Sequence, residues 1–104
     1  MSMTVTSQRS LSEIKQLLEA LKPTLRKRFK VQTIAIFGSY AHGEQDENSD
    51  LDLLVTFSQP YNLWEFLDVK EFLTKKLRVK VDLVPKDSIK SLIKEKILQE
   101  ALPV

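Results

Sequence analysis

The pattern of apolar and polar positions along the chain predicts helices and strands in alternation. Leucine and isoleucine recur at helical spacing over residues 11–21, behind a Ser-Leu-Ser-Glu segment at residues 10–13 that is typical of a helix N-terminus. Pro23 is expected to end or kink this helix, which resumes over residues 25–29. Runs rich in β-branched and aromatic residues then predict three strands. These strands are Val31–Phe37, Leu51–Phe57 and residues 79–84.

Two further apolar stretches at helical spacing follow the second and third predicted strands. The first comes after Pro60, with Asn62 as the expected cap, and the second after Pro85, with Asp87 or Ser88 as the cap. Both helices are expected to pack on the core. Their apolar positions are Leu63, Phe66, Leu67, Leu73 and Leu77 in the first helix, and Ile89, Leu92, Ile93 and Ile97 in the second.

The order of elements predicts an α/β (α+β) fold, with helices packed on one small three-stranded sheet. Residues 38–50 are too few for a full crossover helix, so the first two strands are expected to be antiparallel and the sheet mixed. A length of 104 residues corresponds to one domain, and the 42% apolar and 29% charged content fits a globular protein. No apolar run approaches the roughly 20 residues of a membrane span, so no membrane association is expected.

Cysteine is absent, which excludes disulfide bonds and thiolate metal sites. Residues 1–10 are polar and lack the apolar core of a signal peptide, so a cytoplasmic location is expected. The net charge of +2 is too small to indicate nucleic-acid binding by itself. Basic stretches at residues 22–30 and 75–80 are open to two interpretations, an RNA contact or a solvated helix face.

The only two glycines of the chain, Gly38 and Gly43, lie in one short run after the first predicted strand. Ser39 begins an expected short helix, whose free amides and positive dipole end favour phosphate, and Gly38 lets the backbone approach without an intervening Cβ. The same run is also compatible with a plain turn and a serine cap. His42, the only histidine, is a candidate phosphate contact or proton shuttle, or a solvent-exposed side chain. Ser49 is expected to cap the polar loop that follows.

Asp50 and Asp52 lie one residue apart at the start of the second predicted strand. Residues i and i+2 of a strand point to one face with Cα atoms roughly 6–7 Å apart, so the two carboxylates converge. Mg²⁺ relieves their repulsion and prefers one or two carboxylates together with phosphate oxygens. Asp82 joins this cluster if the third strand neighbours the second, and three acids can hold two metal ions for displacement at phosphorus. The alternative is a set of surface acids on a half-exposed strand.

Taken together, these motifs resemble those of a known family. The glycine run at residues 38–43, the segment at residues 49–55 and the later residues 81–84 are similar to those of the minimal nucleotidyltransferases, within the DNA polymerase beta-like nucleotidyltransferase superfamily. The resemblance covers nearly the whole chain and implies a nucleotidyltransferase fold, with residues 1–104 as a single minimal nucleotidyltransferase domain. One departure is His42, where the family often has arginine or lysine.

The resemblance also implies an activity and a partner. It implies Mg²⁺-dependent transfer of AMP from ATP to a protein hydroxyl, with two ions expected. Small members act as antitoxins that adenylylate a tyrosine of a HEPN-domain ribonuclease toxin, and such a partner is expected here. The alternative is a non-catalytic antitoxin that neutralises the toxin by occlusion. A nucleic-acid-binding role ranks last, because no aromatic residues interleave the basic stretches. The implied catalytic and metal-binding residues are Asp50, Asp52 and Asp82, and the implied nucleotide-binding residues are Gly38, Ser39, His42, Gly43 and Ser49.

Overall fold

The computed structural model describes residues 10–46 and 48–104. The sequence-based expectations for residues 1–9, and for Glu47 in the predicted loop, lie outside the described residues. The helices are α1 (Leu11–Phe29), α2 (Ser39–His42), α3 (Leu63–Leu77) and α4 (Ser91–Glu100), and a single 3₁₀ turn spans Lys86–Ser88. The strands are β1 (Val31–Phe37), β2 (Leu51–Phe57), β3 (Val81–Pro85) and β4 (Leu102–Pro103).

Both long helices begin at a reciprocal cap. The Ser10 hydroxyl accepts a hydrogen bond from the Glu13 amide, and the Glu13 carboxylate accepts one from the Ser10 amide, both at 3.1 Å. Asn62 and Glu65 form the same arrangement at the start of α3, at 2.8 and 2.9 Å. Each pair satisfies amide donors that a helix N-terminus otherwise leaves free, so the expected starts of α1 and α3 are confirmed.

Helix α1 runs through Pro23 to Phe29, so of the two expectations for Pro23, an end or a kink, the end is wrong. Leu18 and Leu25, on either side of the proline, are both buried in the core. Proline cannot donate one backbone hydrogen bond of the helix. Burial of the same helix face before and after Pro23 offsets this loss, so the helix continues.

Among the described residues, the sheet has four strands in the order β3-β2-β1-β4. β1 pairs with β2 antiparallel and β2 pairs with β3 parallel, so the expected mixed sheet is confirmed. The expected count of three strands is wrong, because β4 pairs with Ala35 and Ile36 of β1. Its two residues include a proline and are too few to show a strand period, so only the folded chain reveals this pairing.

The core lies on one face of the sheet, beneath α1 and α3. In β2, Leu51 and Leu53 are fully buried on this inner face, while Asp52 points to the opposite, outer face. Side chains alternate in this way along a strand, so one strand supplies both the core and the site. The buried residues of the inner face include Ile14, Leu18, Leu25, Ile34, Ile36, Leu51, Leu53, Val55, Val69, Leu73, Leu77, Val81 and Leu83.

Helix α4 does not pack inward as expected. Among its ten residues, all of them described, none is buried, and Leu92 and Ile93 are 95% and 52% exposed. The helix begins at Ser91 without a side-chain cap, since Asp87 and Ser88 belong to the 3₁₀ turn. The apolar face of the sheet is already covered by α1 and α3, which leaves α4 to the outer side.

The first turns of α3 are also more exposed than expected. Leu63 is 65% exposed and Leu67 is 41% exposed, whereas Leu73 and Leu77 are buried as expected. Helical spacing shows which residues share a face, but it does not show how far that face is covered. Of the helices within the described ranges, none combines the length and the hydrophobicity that crossing a membrane requires.

Candidate active site

The parallel pairing of β2 and β3 places Asp52 directly opposite Asp82. Residues opposite each other in a ladder point to the same side of the sheet, so both carboxyl groups lie on the outer face. Their side chains form a hydrogen bond, and Asp50 lies close enough to Asp52 to repel its negative charge. Asp52 and Asp50 are half-buried, whereas Asp82 is exposed. The structure thus places Asp82, from a distant part of the chain, beside Asp52, with Asp50 nearby.

The surroundings of Asp52 raise the pKa of its carboxyl group to about 6. The largest cause is the loss of hydration on burial, followed by the hydrogen bond with Asp82 and the negative charges of Asp82 and Asp50. A hydrogen bond between two carboxyl groups requires a proton on one of them. A divalent cation bound at this pair would take the place of that proton, because it relieves the same repulsion.

Gly38 lies against Asp52 where β1 ends. Its backbone has φ 74° and ψ −150°, close to a region that is essentially restricted to glycine. A Cβ atom built on Gly38 would lie 2.9 Å from Cγ of Asp52 and would collide with its carboxylate oxygen. The missing side chain therefore lets the Asp52 carboxylate lie directly beside the backbone that leads into α2.

The short helix α2 is anchored by Tyr40, whose side chain is almost fully buried in the core. Burial raises the pKa of the Tyr40 hydroxyl, which fits a packing role. Ser39 is half-buried at the start of the helix, next to Gly38. Gly43 ends the helix in the left-handed conformation, with φ 70°, and its amide donates to the carbonyl oxygens of Ser39 and Tyr40. Open space surrounds the position of a Gly43 Cβ, so helix termination accounts for this glycine.

The two remaining candidate residues have partners within the protein. His42 Nε2 lies 3.3 Å from a carboxylate oxygen of Glu100, at the end of α4. The Ser49 hydroxyl accepts a hydrogen bond from the Asp46 amide at 2.9 Å, and the Ser49 amide donates to the Asp46 carbonyl at 3.1 Å. Ser49 therefore shapes the loop before Asp50. Glu100 was not anticipated, because nothing in its local sequence links it to a residue 58 positions earlier.

The acids at the strand ends offer oxygen ligands for a metal ion. Within residues 10–46 and 48–104, no three histidine, cysteine, aspartate or glutamate side chains already form a ligand cluster. The structure instead offers the hydrogen-bonded pair Asp52 and Asp82, with Asp50 nearby. Mg²⁺ takes one or two carboxylates and fills its remaining positions with water and phosphate oxygens, so the donor set of this pair fits that ion.

Comparison with known proteins gives consistent matches over most of the chain. Residues 18–104 match the nucleotidyltransferase domain family. The protein adenylyltransferase MntA of Thermococcus cleftensis is 44% identical over 95 residues, which cover 91% of this chain and 96% of the relative. A candidate protein adenylyltransferase of Methanocaldococcus jannaschii is 42% identical over 94 residues, which cover 90% of this chain and 96% of that protein.

Two solved structures share the fold. A candidate minimal nucleotidyltransferase has a TM-score of 0.81 and 35% sequence identity, and the match covers 94% of this chain and 99% of that one. A toxin–antitoxin structure with AMP-PNP has a TM-score of 0.65 and 26% identity, and the match covers 91% of this chain and 72% of that one. The similarity therefore extends over the sheet, the helices and the strand ends that carry the acids.

Proposed function

Because the chain belongs to the nucleotidyltransferase domain family, we propose that it is a Mg²⁺-dependent enzyme that transfers AMP from ATP to a hydroxyl group of a partner protein. Residues 1–104 would act as a single minimal nucleotidyltransferase domain in the cytoplasm, without nucleic acid as a ligand. The observation that carries the proposal is the position of Asp52, which lies between Asp82 on the neighbouring strand and the Gly38 backbone.

The reaction is a displacement at the α-phosphorus of ATP. The acceptor hydroxyl oxygen attacks this phosphorus, the bond to the oxygen that bridges to the β-phosphate breaks, and pyrophosphate leaves with the electron pair. The proton of the acceptor hydroxyl passes to Asp82, the more exposed of the two paired acids, and then to water. The products are the adenylylated protein, pyrophosphate and one proton.

The proposed roles of the residues follow from their positions. Gly38 and Ser39 would lie beside the β- and γ-phosphates, where the missing Cβ leaves the backbone accessible. Asp50, Asp52 and Asp82 would hold Mg²⁺, which when bound offsets the negative charge that develops on the phosphate oxygens. Gly43 and Ser49 would support the nucleotide site by shaping the turn and the loop around it. His42 would contact the nucleotide only after separating from Glu100.

The proposed acceptor is a tyrosine of a HEPN-domain ribonuclease toxin, which makes this chain an antitoxin. The similarity to a toxin–antitoxin structure with AMP-PNP supports this partner. A second support is the start of α3, where the adjacent side chains Leu63 and Trp64 are 65% and 73% exposed. Exposed apolar patches of this kind are typical of surfaces that bind another protein.

Co-expression with the toxin tests the proposal, with intact-protein mass spectrometry of the toxin as the measurement. The wild-type chain is expected to add one or more AMP units to the toxin. Asp52→Asn and Asp82→Asn are each expected to abolish the addition while circular dichroism shows an unchanged fold. Asp68→Asn, a change at an exposed acid of α3, is the matched control and is expected to retain activity.

Two results would contradict the proposal. Persistent modification of the toxin by both site variants would exclude the paired acids from the reaction. An unmodified toxin held by the wild-type chain in a tight, inactive complex would favour neutralisation by occlusion. Dependence on Mg²⁺ is tested separately, since EDTA is expected to stop AMP transfer and added Mg²⁺ to restore it.

A further inference from the structure

A cavity of about 260 Å³ opens on the outer face of the sheet, the face that carries Asp52 and Asp82. Leu54 and Thr56 follow Asp52 on the same face of β2, so the floor of the cavity begins roughly 6–7 Å from the acid along the strand. The end of α4 and the short strand β4 form the opposite wall. The lining residues include Thr33, Ala35, Leu54, Thr56, Leu98 and Pro103.

A second cavity, of about 330 Å³, continues from the first toward the start of α3. Both cavities are lined by Val55, Thr56 and Lys86, so they meet at these residues. Where β2 ends, the second cavity is bounded by Phe57, whose side chain packs against the core, and by Tyr61, whose ring stacks on that of Phe57 with the centroids 4.0 Å apart. The two cavities therefore form one groove, called here the outer groove, which leads away from Asp52 along β2.

The length of the outer groove distinguishes between two kinds of occupant. From Asp52 to Phe57 the strand covers about 17 Å, at about 3.3 Å per residue, which is the span of an extended segment of about five residues. A nucleoside whose phosphate lies at Asp52 would reach the first cavity and leave the second one empty. An extended polypeptide fills both, so the continuity of the groove favours a polypeptide.

The positive charge of Lys86 indicates which kind of polypeptide segment the outer groove would bind. Lys86 is half-buried where the two cavities meet. The ion pairs within residues 10–46 and 48–104 do not include its ammonium group. A partly desolvated cation is stabilised by a carboxylate of the molecule that covers it. The rest of the first cavity is lined mainly by aliphatic and threonine side chains, which suit apolar side chains. The second cavity is lined by proline and aromatic side chains and also by Gln59 and Asp87, the one acid among its lining residues.

We propose that the outer groove binds the extended segment of the acceptor protein that carries the modified hydroxyl. The segment has apolar side chains for the two cavities and an acidic residue for Lys86, and its acceptor hydroxyl lies at the Asp52 end. This assignment rests on the proposed function, because it presupposes that a protein receives AMP at Asp52 and Asp82.

Binding of the HEPN-domain toxin tests the groove without any need for catalysis. Lys86→Glu reverses the charge at the junction, and Leu98→Arg places a cation in the first cavity. Each change is expected to weaken toxin binding about tenfold in calorimetric titrations and to change AMP-PNP affinity by less than about twofold. The matched controls are Lys96→Glu, the same reversal at an exposed position of α4, and Leu98→Met, which keeps the apolar wall. Both controls are expected to bind the toxin as the wild type does.

Site-specific cross-linking gives an independent measurement. Because the chain has no cysteine, Thr56→Cys introduces a unique thiol within the groove, and a benzophenone label on it is expected to cross-link the toxin peptide that contains the modified residue. The same label at Lys70→Cys, on the exposed side of α3, is expected to give no cross-link to that peptide.

The outcomes separate the groove from the reaction. Unchanged toxin binding by both groove variants, with normal AMP transfer, would contradict the assignment of the groove to the acceptor segment and leave the proposed function intact. A loss of AMP-PNP affinity in those variants would instead assign the first cavity to the nucleoside. That result would also contradict the assignment of the groove to the acceptor segment. Toxin binding and cross-linking in the groove without AMP transfer by the wild type would overturn the proposed function, and with it the claim that the bound segment carries the acceptor hydroxyl. A wild-type chain that does not bind the toxin would overturn the groove assignment.

Discussion

Replacement of Gly38 by alanine probes the contact on which the candidate site depends. The backbone of Gly38 has φ 74° and ψ −150°, and an added Cβ would collide with the Asp52 carboxylate. Strained backbone of this kind costs of order 1–3 kcal/mol for a residue with a side chain. Rotation of Asp52 away from its preferred rotamer adds about 1 kcal/mol. The expected loss of stability is therefore about 2–4 kcal/mol, within the stability of an ordinary domain.

Gly43→Ala is the matched control, since this residue also has a positive φ, of 70°, but a Cβ there meets open space. It is expected to cost about 1–2 kcal/mol, from the backbone alone. Urea unfolding measures both losses. AMP transfer to the toxin is expected to fall about 100-fold in Gly38→Ala, because a carboxylate displaced by about 1 Å no longer meets the reacting atoms. In Gly43→Ala, AMP transfer is expected to fall far less, because the Asp52 carboxylate keeps its position.

A double-mutant cycle isolates the contact between Gly38 and Asp52. Asp52→Ala removes the carboxylate, so in that background Gly38→Ala is expected to cost about 1 kcal/mol less than in the wild type. Equal costs in the two backgrounds would refute the reasoning, since they would show that the contact with Asp52 does not restrict this position.

Two further predictions concern Asp52 and Asn62. The pKa of Asp52 is raised from 3.8 to about 6, so between about pH 4 and pH 6 the folded chain binds more protons than the unfolded chain. Without Mg²⁺, the free energy of unfolding should therefore fall as the pH rises from about 4 to about 6. Asp52→Asn should remove this dependence and, after allowance for solvent screening of the partly exposed carboxyl group, stabilise the chain by about 1 kcal/mol at pH 7. Thermal unfolding in EDTA at several pH values measures both effects, and an unaltered pH profile in the variant would contradict the assignment. Asn62→Ala should destabilise the chain by about 1 kcal/mol through loss of the α3 cap, with unchanged AMP transfer per folded molecule. Asn62→Ser should restore most of that stability in urea unfolding, and an equal loss in both variants would exclude capping as the cause.

The sequence did not predict which apolar side chains of α4 are exposed to water, or that His42 contacts Glu100. Helical spacing identifies Leu92 and Ile93 as apolar positions of α4, but whether water or protein covers them depends on α1 and α3 having already filled the inner face of the sheet. The contact of His42 with Glu100 likewise requires the end of α4 to return to the edge of the sheet, where β4 pairs with β1.

The sequence alone determined the features that depend on near neighbours. The caps at Ser10 and Asn62 and the turn at Gly38 follow from local chemistry. The strand period places Asp52 on the face of β2 opposite to Leu51 and Leu53. Only the tertiary structure decided that β3 lies next to β2, which brings Asp82 beside Asp52 and raises the pKa of Asp52. The reason is physical, because strand pairing between distant segments depends on how the helices bury the sheet, and no local pattern records that packing.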